Sequence, residues 1–426
     1  MMENSSRLSG FFQLGQDERL DLLKSRCALD DATIQTLKDS SALPFDLVNR
    51  LVENAIGGFT VPLGIATNMI IDGQDILIPM ATEESSVIAA VGNTAKQCRD
   101  TGGFFTSLSS TEMIAQVQII NLTDPWTARA KVLERKAEIA EICNACDPVL
   151  IKLGGGFRDL EVRIIDTRSG PMVVVHLIVD TRDAMGANAV NTMAETLAPK
   201  LSQWTGGKHH LRILSNLADR RVARARAVWK AEAIGGTEIV QGIIAAADFA
   251  DADPYRAATH NKGIMNGVSA VTLATGNDTR AIEAGAHAFA ARTGRYRSLS
   301  HYEVTPQGDL AGSIELPMAL GMVGGATKVH PTAQACLKIL GVTSAAQLSG
   351  IAAAVGLAQN FGALKALATV GIQQGHMALH AQNVAIAAGA AGDEIALVAQ
   401  RMTDAKTIRQ DVAESILIAL RQTQSK

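Results

Sequence analysis

The sequence predicts an α+β fold: a large helix-rich domain, interrupted by one small sheet-bearing unit and closed by a short helical piece. Three observations carry that prediction. The 426 residues are 47% hydrophobic but only 4% aromatic, so the cores are large and pack through small aliphatic side chains. Residues 115–217 alternate between runs of period 2 and amphipathic runs of helical period. Beyond Pro331 only helical spacing remains.

Taken in order, residues 16–56 read as short helices, with Asp30 and Asp31 as caps and Pro44 in a first turn. Residues 59–80 change period, and Asp72-Gly73 between two apolar runs predicts a hairpin. A helix is expected from about Glu84 to Arg99. Residues 115–122 read as a strand, and Asp124 as the cap of a helix reaching about Ala145. Strands at 160–167 and 171–180 flank an Arg168-Ser169-Gly170 turn. A helix from Gly186 to Ser202 and a strand at 210–217 complete the unit. The order β-α-β-β-α-β is the ferredoxin-like arrangement. Helices at 237–252, 262–274 and 281–292 follow, then a hairpin over 297–317. The expected division is 1–109 with 218–373 as the large domain, 110–217 as the inserted unit and 374–426 as the C-terminal helical piece.

Composition excludes several classes. With 39 basic and 42 acidic residues the net charge is −3, which is not the footprint of a nucleic-acid binder. Arg220, Arg221, Arg224 and Arg226 form the one basic cluster, and read as a solvated or interface face or an anion contact. Five scattered cysteines point to reduced thiols and a cytoplasmic setting. Cys143 and Cys146 lack a second pair for zinc and sit at a helix C-terminus, so they read as inert. The N-terminus shows no signal pattern. The most apolar stretch, 351–372, is interrupted by Gln359, Asn360 and Lys365, and reads as a buried helix, not a membrane span.

Several constellations have the residues for chemistry. In Asp180–Asn188 an apolar strand meets a helix start, and Gly186 lets backbone N–H groups approach an anion at the positive end of the helix dipole. This suits a dinucleotide pyrophosphate without the G-x-G-x-x-G loop; an ordinary capped turn fits as well. Gly154-Gly155-Gly156 fits either close approach of a ligand or neighbouring backbone, or a flexible turn. Asp147 is placed to accept from ribose hydroxyls and repel a 2′-phosphate, or simply to face solvent. Lys262 and Asp278 both lie in polar interruptions of apolar helical sequence. They are candidates for a buried pair that sets an ammonium over a developing oxyanion, with a surface ion pair as the alternative. Of Glu83 and Glu84, at most one faces a pocket. His376 and His380 share a helix face but lack the Glu and third ligand of a metal site, so one of them as a general acid fits better.

Seven segments match one family in order. They are Glu53-Asn54-Ala-Ile-Gly57, the Glu83-Glu84 junction, Asp183-Ala-Met185-Gly186-Ala-Asn188, Asp253-Pro-Tyr-Arg256 through Lys262 to Asn266-Gly, Ala274-Thr-Gly-Asn-Asp278, Gly324-Gly-Ala-Thr-Lys-Val-His-Pro331, and Gly375-His376-Met. Running from about residue 50 to 380, they resemble class II 3-hydroxy-3-methylglutaryl-coenzyme A (HMG-CoA) reductase. The resemblance implies a helical thioester domain, an inserted domain binding a nicotinamide nucleotide without a Rossmann fold, and a mobile C-terminal flap. It implies an active site at a homodimer interface, with further assembly of dimers. The implied reaction converts HMG-CoA by two hydride transfers, through mevaldehyde, to mevalonate and coenzyme A. Lys262 would stabilise the oxyanion, Glu84 would relay a proton to the aldehyde oxygen, and Asp278 would set the protonation of both. His376 would protonate the departing thiolate. Ser86, Arg256 and Asn266 would hold the substrate carboxylate. Asp183, Met185, Gly186 and Asn188 would hold the nucleotide, and Asp147 would favour NAD over NADP. Two competing readings remain. Another nicotinamide-dependent acyl-CoA reductase would alter Arg256 or Ser86. A non-catalytic coenzyme A-binding protein would lack one of Glu84, Lys262, Asp278 or His376.

Overall fold

A computed structural model of the chain describes residues 5–39, 43–369 and 381–424. It is a mixed α+β fold organised by two sheets. Strands β1 (Leu63–Ile71), β2 (Gln74–Ala81) and β3 (Phe104–Leu108) come first. Then follow β4 (Glu112–Ile120), β5 (Gly156–Ile165), β6 (Met172–Asp180) and β7 (Lys208–Ser215). The last three are β8 (Val222–Trp229), β9 (Ser300–Val304) and β10 (Leu310–Pro317).

The contiguous strands β4 to β7 form a four-stranded antiparallel sheet in the order β5-β6-β4-β7. Alternate residues of β4 (Met113, Ala115, Val117, Ile119) and β6 (Val173, Val175, Leu177, Val179) are fully buried with Val190, Met193, Leu197 and Leu201 of helix Ala187–Thr205. β4 shows mostly period-2 burial, whereas in β6 the intervening residues are buried as well. The helix expected from Asp124 to Ala145 is two helices, Pro125–Leu133 and Lys136–Ala145. Between them the chain tightens to a three-residue bond, Arg135 N–H to Val132 O at 3.1 Å.

The other strands form a six-stranded sheet, β2-β1-β3-β8-β10-β9, antiparallel except where β1 meets β3 at Ile71 and Phe104. The Asp72-Gly73 hairpin is as expected, and both residues have positive φ. Two central strands, β3 and β8, lie where no strand was expected, and β8 ends on Trp229. Ala223, Ala225 and Ala227 of β8 face inward, which lets helix Ala345–Ala368 approach β3, β8 and β10 closely. Trp229 stacks flat on Phe361 of that helix, with ring centroids 4.1 Å apart. The helix is long and apolar enough to cross a membrane, yet most of its apolar stretch is buried inside the protein. The C-terminal helices form a separate apolar cluster that includes Ala381, Val398, Met402 and Leu417. All five cysteines are free, and burial pushes the Cys143 thiol up to about 12.

Among the N-terminal helices, Asp30 caps Asp31–Lys38 through Thr33 N–H, whereas Pro44 sits at the cap of Phe45–Leu51, one residue before its first turn.

Candidate active site

Lys262 lies inside one continuous helix, Pro254–Ala274, and not in a junction as its polar neighbours suggest. His260 and Asn261 do not break the helix because their side chains satisfy groups beside β9. Asn261 donates to Arg297 O (2.8 Å) and accepts from Leu299 N–H (3.0 Å). His260 Nε2 meets Ser300 Oγ at 2.7 Å and Ser298 Oγ at 2.9 Å, and burial pushes its pKa down to about 4. Asn360 Oδ1 extends this buried network to the Tyr302 hydroxyl. These bonds fix the rotation of the helix, so that Lys262 and, one turn on, Asn266 share the opposite, open face.

On that face both side chains reach one carboxylate oxygen. Glu84 Oε2 accepts from Lys262 Nζ at 2.8 Å and from Asn266 Nδ2 at 3.3 Å. Glu84 itself is not on a helix. The helix expected from Glu84 starts only at Val87, because Ser86 adopts a left-handed conformation (φ 69°) at its cap. This bend leaves Glu84 in the preceding turn, where its own N–H donates to Thr82 Oγ1 (3.2 Å). Side-chain exposures of 61% for Lys262 and 40% for Glu84 make this a solvent-open pair and not a buried one.

The expected pairing of Lys262 with Asp278 is not what the structure shows. Asp278 caps helix Thr279–Ala290, accepting from Arg280 and Ala281 N–H, and lies 3.5 Å from Arg280 Nε. A carboxylate preceding a helix start gains about 1 kcal/mol from such capping, so it turns toward its own helix. Arg256 is half-buried and its guanidinium has no acid partner among the described residues; burial lowers its pKa. His376 and His380 lie outside the described residues.

The second candidate region is the turn after β6. Gly186 has φ 98°, and a Cβ there would run into Thr181. Helix Ala187–Thr205 begins at Gly186 with no side-chain cap and no acid in its first turn. By contrast, the helices after Asp124, Asp147, Asp253 and Asp278 all start on a carboxylate. First-turn N–H groups with no side-chain cap among the described residues, at the positive end of a 19-residue helix, fit a pyrophosphate. Asp183 is not open to a ligand on both oxygens, since Oδ1 accepts from Ala345 N–H at 2.8 Å. Met185 packs against the main core and Asn188 is exposed. Asp147 caps the following short helix through Leu150 N–H (2.9 Å). The three glycines at 154–156 are explained by crowding: a Cβ on Gly155 would sit 2.7 Å from Asp180 O, and one on Gly156 would sit 2.7 Å from Asn144 Oδ1.

A turn suited to an anion beside one sheet and a separate ammonium–carboxylate pair beside the other are the features a carbonyl-reducing enzyme would need. The chain belongs to the hydroxymethylglutaryl-coenzyme A reductase family, whose model matches residues 15–381. It is 55% identical over 417 residues to the 3-hydroxy-3-methylglutaryl-coenzyme A reductase of Archaeoglobus fulgidus, covering 98% of this chain and 95% of that one. It is 35% identical to a probable reductase of the same name from Borreliella burgdorferi, over 89% of each chain. The fold matches the reductase of Streptococcus pneumoniae with a TM-score of 0.83 and 40% identity, covering 97% of this chain and 99% of that one. A class II structure from the same organism, bound to NADPH in open conformations, gives 0.81 and 40% identity over 96% and 100% of the chains. The class II resemblance read from the motifs therefore holds.

Proposed function

We propose that this chain interconverts HMG-CoA and mevalonate plus coenzyme A by two successive hydride transfers with a nicotinamide cofactor. The observation that carries this reading is the open Lys262–Glu84 pair, 2.8 Å apart, in a chain of this family. The nicotinamide supplies or accepts the hydride. As the carbonyl oxygen gains charge, the Lys262 ammonium stabilises it, an interaction worth about 3–4 kcal/mol. Glu84, bonded to that ammonium, delivers a proton to the aldehyde oxygen. Asp278 acts through its field, because its direct bonds go to its own helix. His376 protonates the departing thiolate. Ser86, Arg256 and Asn266 hold the substrate carboxylate, for which the acid-free guanidinium of Arg256 is suited.

Asp183, Met185, Gly186 and Asn188 form the nucleotide turn in this reading, with the pyrophosphate at the open helix N-terminus. Asp147 makes NAD the preferred nucleotide, since a carboxylate there repels a 2′-phosphate. The pneumococcal neighbour is bound to NADPH, so both nucleotides belong in one assay. Mevalonate and coenzyme A are supplied with NAD or NADP, and reduced nucleotide is followed by absorbance. Reduction of NAD faster than NADP is expected. No reduction of either ends the reading, whereas a preference for NADP removes only the role of Asp147.

The proposed division is a discontinuous substrate domain (1–109 and 218–373), a ferredoxin-like nucleotide domain (110–217) and a C-terminal flap (374–426). The contiguity of β4 to β7 and the separate apolar cluster of the last helices support it. A homodimer with the active site at its interface is supported by Ile56 and Phe59, which are 100% and 95% exposed beside Gly57. Burying each stabilises an interface by about 1.5–3 kcal/mol. A monomer in sedimentation would refute that part. Five free thiols fit a cytoplasmic setting.

A further inference from the structure

Arg221 is the residue that neither region explains. It stands one position before β8, where the chain returns from the four-stranded to the six-stranded sheet, and it is 0% exposed. The sequence cluster suggested a solvated or interface arginine, but only its neighbours Arg220, Arg224 and Arg226 are exposed. A buried guanidinium is costly unless its donors are satisfied. Here Nη1 donates to Thr181 Oγ1 (3.2 Å) and Ala184 O (3.0 Å), and Nη2 donates to Leu320 O (2.6 Å). The Nε–H finds no acceptor among the described residues. No carboxylate bonds to the guanidinium in the described structure. Asp180 is engaged by Thr111, Arg158 and the Arg182 N–H, and Asp183 by the Ala345 N–H. Burial pushes Arg221 down to about 10, so it stays protonated near neutral pH. An apolar side chain would fill this space at lower cost.

What the guanidinium does is join two backbone segments. One, Thr181–Ala184, leads into Gly186 and the open helix N-terminus. The other, Leu320–Val323, follows β10 and lies beside Asn277, just past the end of the helix that carries Lys262. Met322 N–H donates to Asp183 O (2.8 Å), and Ala184 bridges Val323. Gly321 N–H donates to Asn277 Oδ1 (2.8 Å), next to Asp278. The segments are so close that a Cβ on Gly321 would sit 2.6 Å from Met185 N.

We propose that Arg221 is a positioning residue for hydride transfer: it clamps the Thr181–Gly186 turn onto the Leu320–Val323 segment and so sets where the nicotinamide lies relative to Lys262 and Glu84. This rests on the reading of that turn as the nucleotide site. Geometry, and not charge alone, is required, because misplacement of about 1 Å can cost a hundredfold in rate.

Arg221→Lys keeps the charge but cannot span the three acceptors. The expected result is a folded protein whose KM for the nicotinamide nucleotide rises, and whose kcat falls, by about tenfold or more, with KM for HMG-CoA within about twofold. Titration of reduced-nucleotide fluorescence reads the binding part. Parental values in a folded Arg221→Lys overturn the clamp. So does a loss falling equally on both substrates, which a merely loosened fold would give. If Arg221→Lys does not fold, Gly321→Ala pushes the same segments apart without touching the arginine. The same nucleotide-selective loss then supports the clamp, and parental values overturn it. Ala187→Asp tests the turn by itself by placing a carboxylate at the helix start. Unchanged nucleotide binding in that variant shows that the nucleotide lies elsewhere, which sinks the site reading together with the clamp.

Discussion

The four-stranded sheet is assembled from one stretch, Glu112–Ser215, whereas the six-stranded sheet joins segments from both sides of that stretch. The proposed chemistry divides in the same way. The nucleotide turn is a local feature: Thr181, Gly186 and the start of helix Ala187–Thr205 are close in sequence. The Lys262–Glu84 pair is the opposite, its partners standing 178 positions apart in the chain. It exists only because helix Pro254–Ala274, β2 and the turn before Val87 pack correctly. The turn should therefore depend on a few backbone angles, and the pair on the large core.

Four measurements can break or sharpen that contrast. Trp229→Ala removes the ring stacked on Phe361 at the centre of the large core, and should cost about 3–5 kcal/mol in urea unfolding. A loss below about 1 kcal/mol would show that the six-stranded sheet does not depend on this contact. Lys262→Ala should lower kcat for both reductions by an amount equivalent to about 3–4 kcal/mol. Its melting temperature should hardly move, since the side chain is 61% exposed. Normal turnover in that variant would refute the assigned role.

The third measurement concerns pH. Burial holds His260 near a pKa of about 4 against an ordinary value of 6.5. The unfolded chain thus binds a proton between these values that the folded chain does not. The contribution to stability is complete above about 6.5 and is lost as pH falls toward 4, amounting to about 3 kcal/mol. Comparing urea unfolding at pH 7.5 and 5 should show this slope in the parent and a flatter one in His260→Gln; equal slopes would contradict it. The smallest effect is expected for Asp147→Ala. Losing the cap on Leu150 N–H should cost about 1 kcal/mol of stability, and NADP should gain on NAD in the assay. An unchanged nucleotide ratio would leave Asp147 with capping alone.

Much of this was legible in the sequence, and the failures have physical causes. The four-stranded sheet could be read because its strands are short apolar or alternating runs bounded by turn residues and each connection is local. β8 was missed although its centre, Ala223-Arg-Ala-Arg-Ala227, alternates. Its central inward residues are alanines, which carry a weak hydrophobic signal, and its outward arginines read as a surface cluster. β3 has five residues and takes its partners from a strand more than a hundred positions away. The residues by themselves offered Lys262 and Glu84 as separate candidates, and only the family resemblance put that ammonium beside acids, because their pairing depends on tertiary packing that no spacing encodes. The preference of Asp278 for its own helix was legible in principle, since Asp before Thr-Arg-Ala is a capping pattern. Nothing in the sequence distinguished Arg221 from Arg220; only the fold turns one inward and leaves the other exposed.

The register of β3 against β8, with Leu108 opposite Ala223, has a consequence for biogenesis. Everything from β4 to β7 must leave the ribosome before the centre of the larger sheet can close. At about 5–20 residues per second, that leaves β1 to β3 with an unpaired edge for several seconds or more. During that interval a nascent chain exposes Phe104 and its neighbours to other chains, and chaperone capture should peak just before β8 emerges.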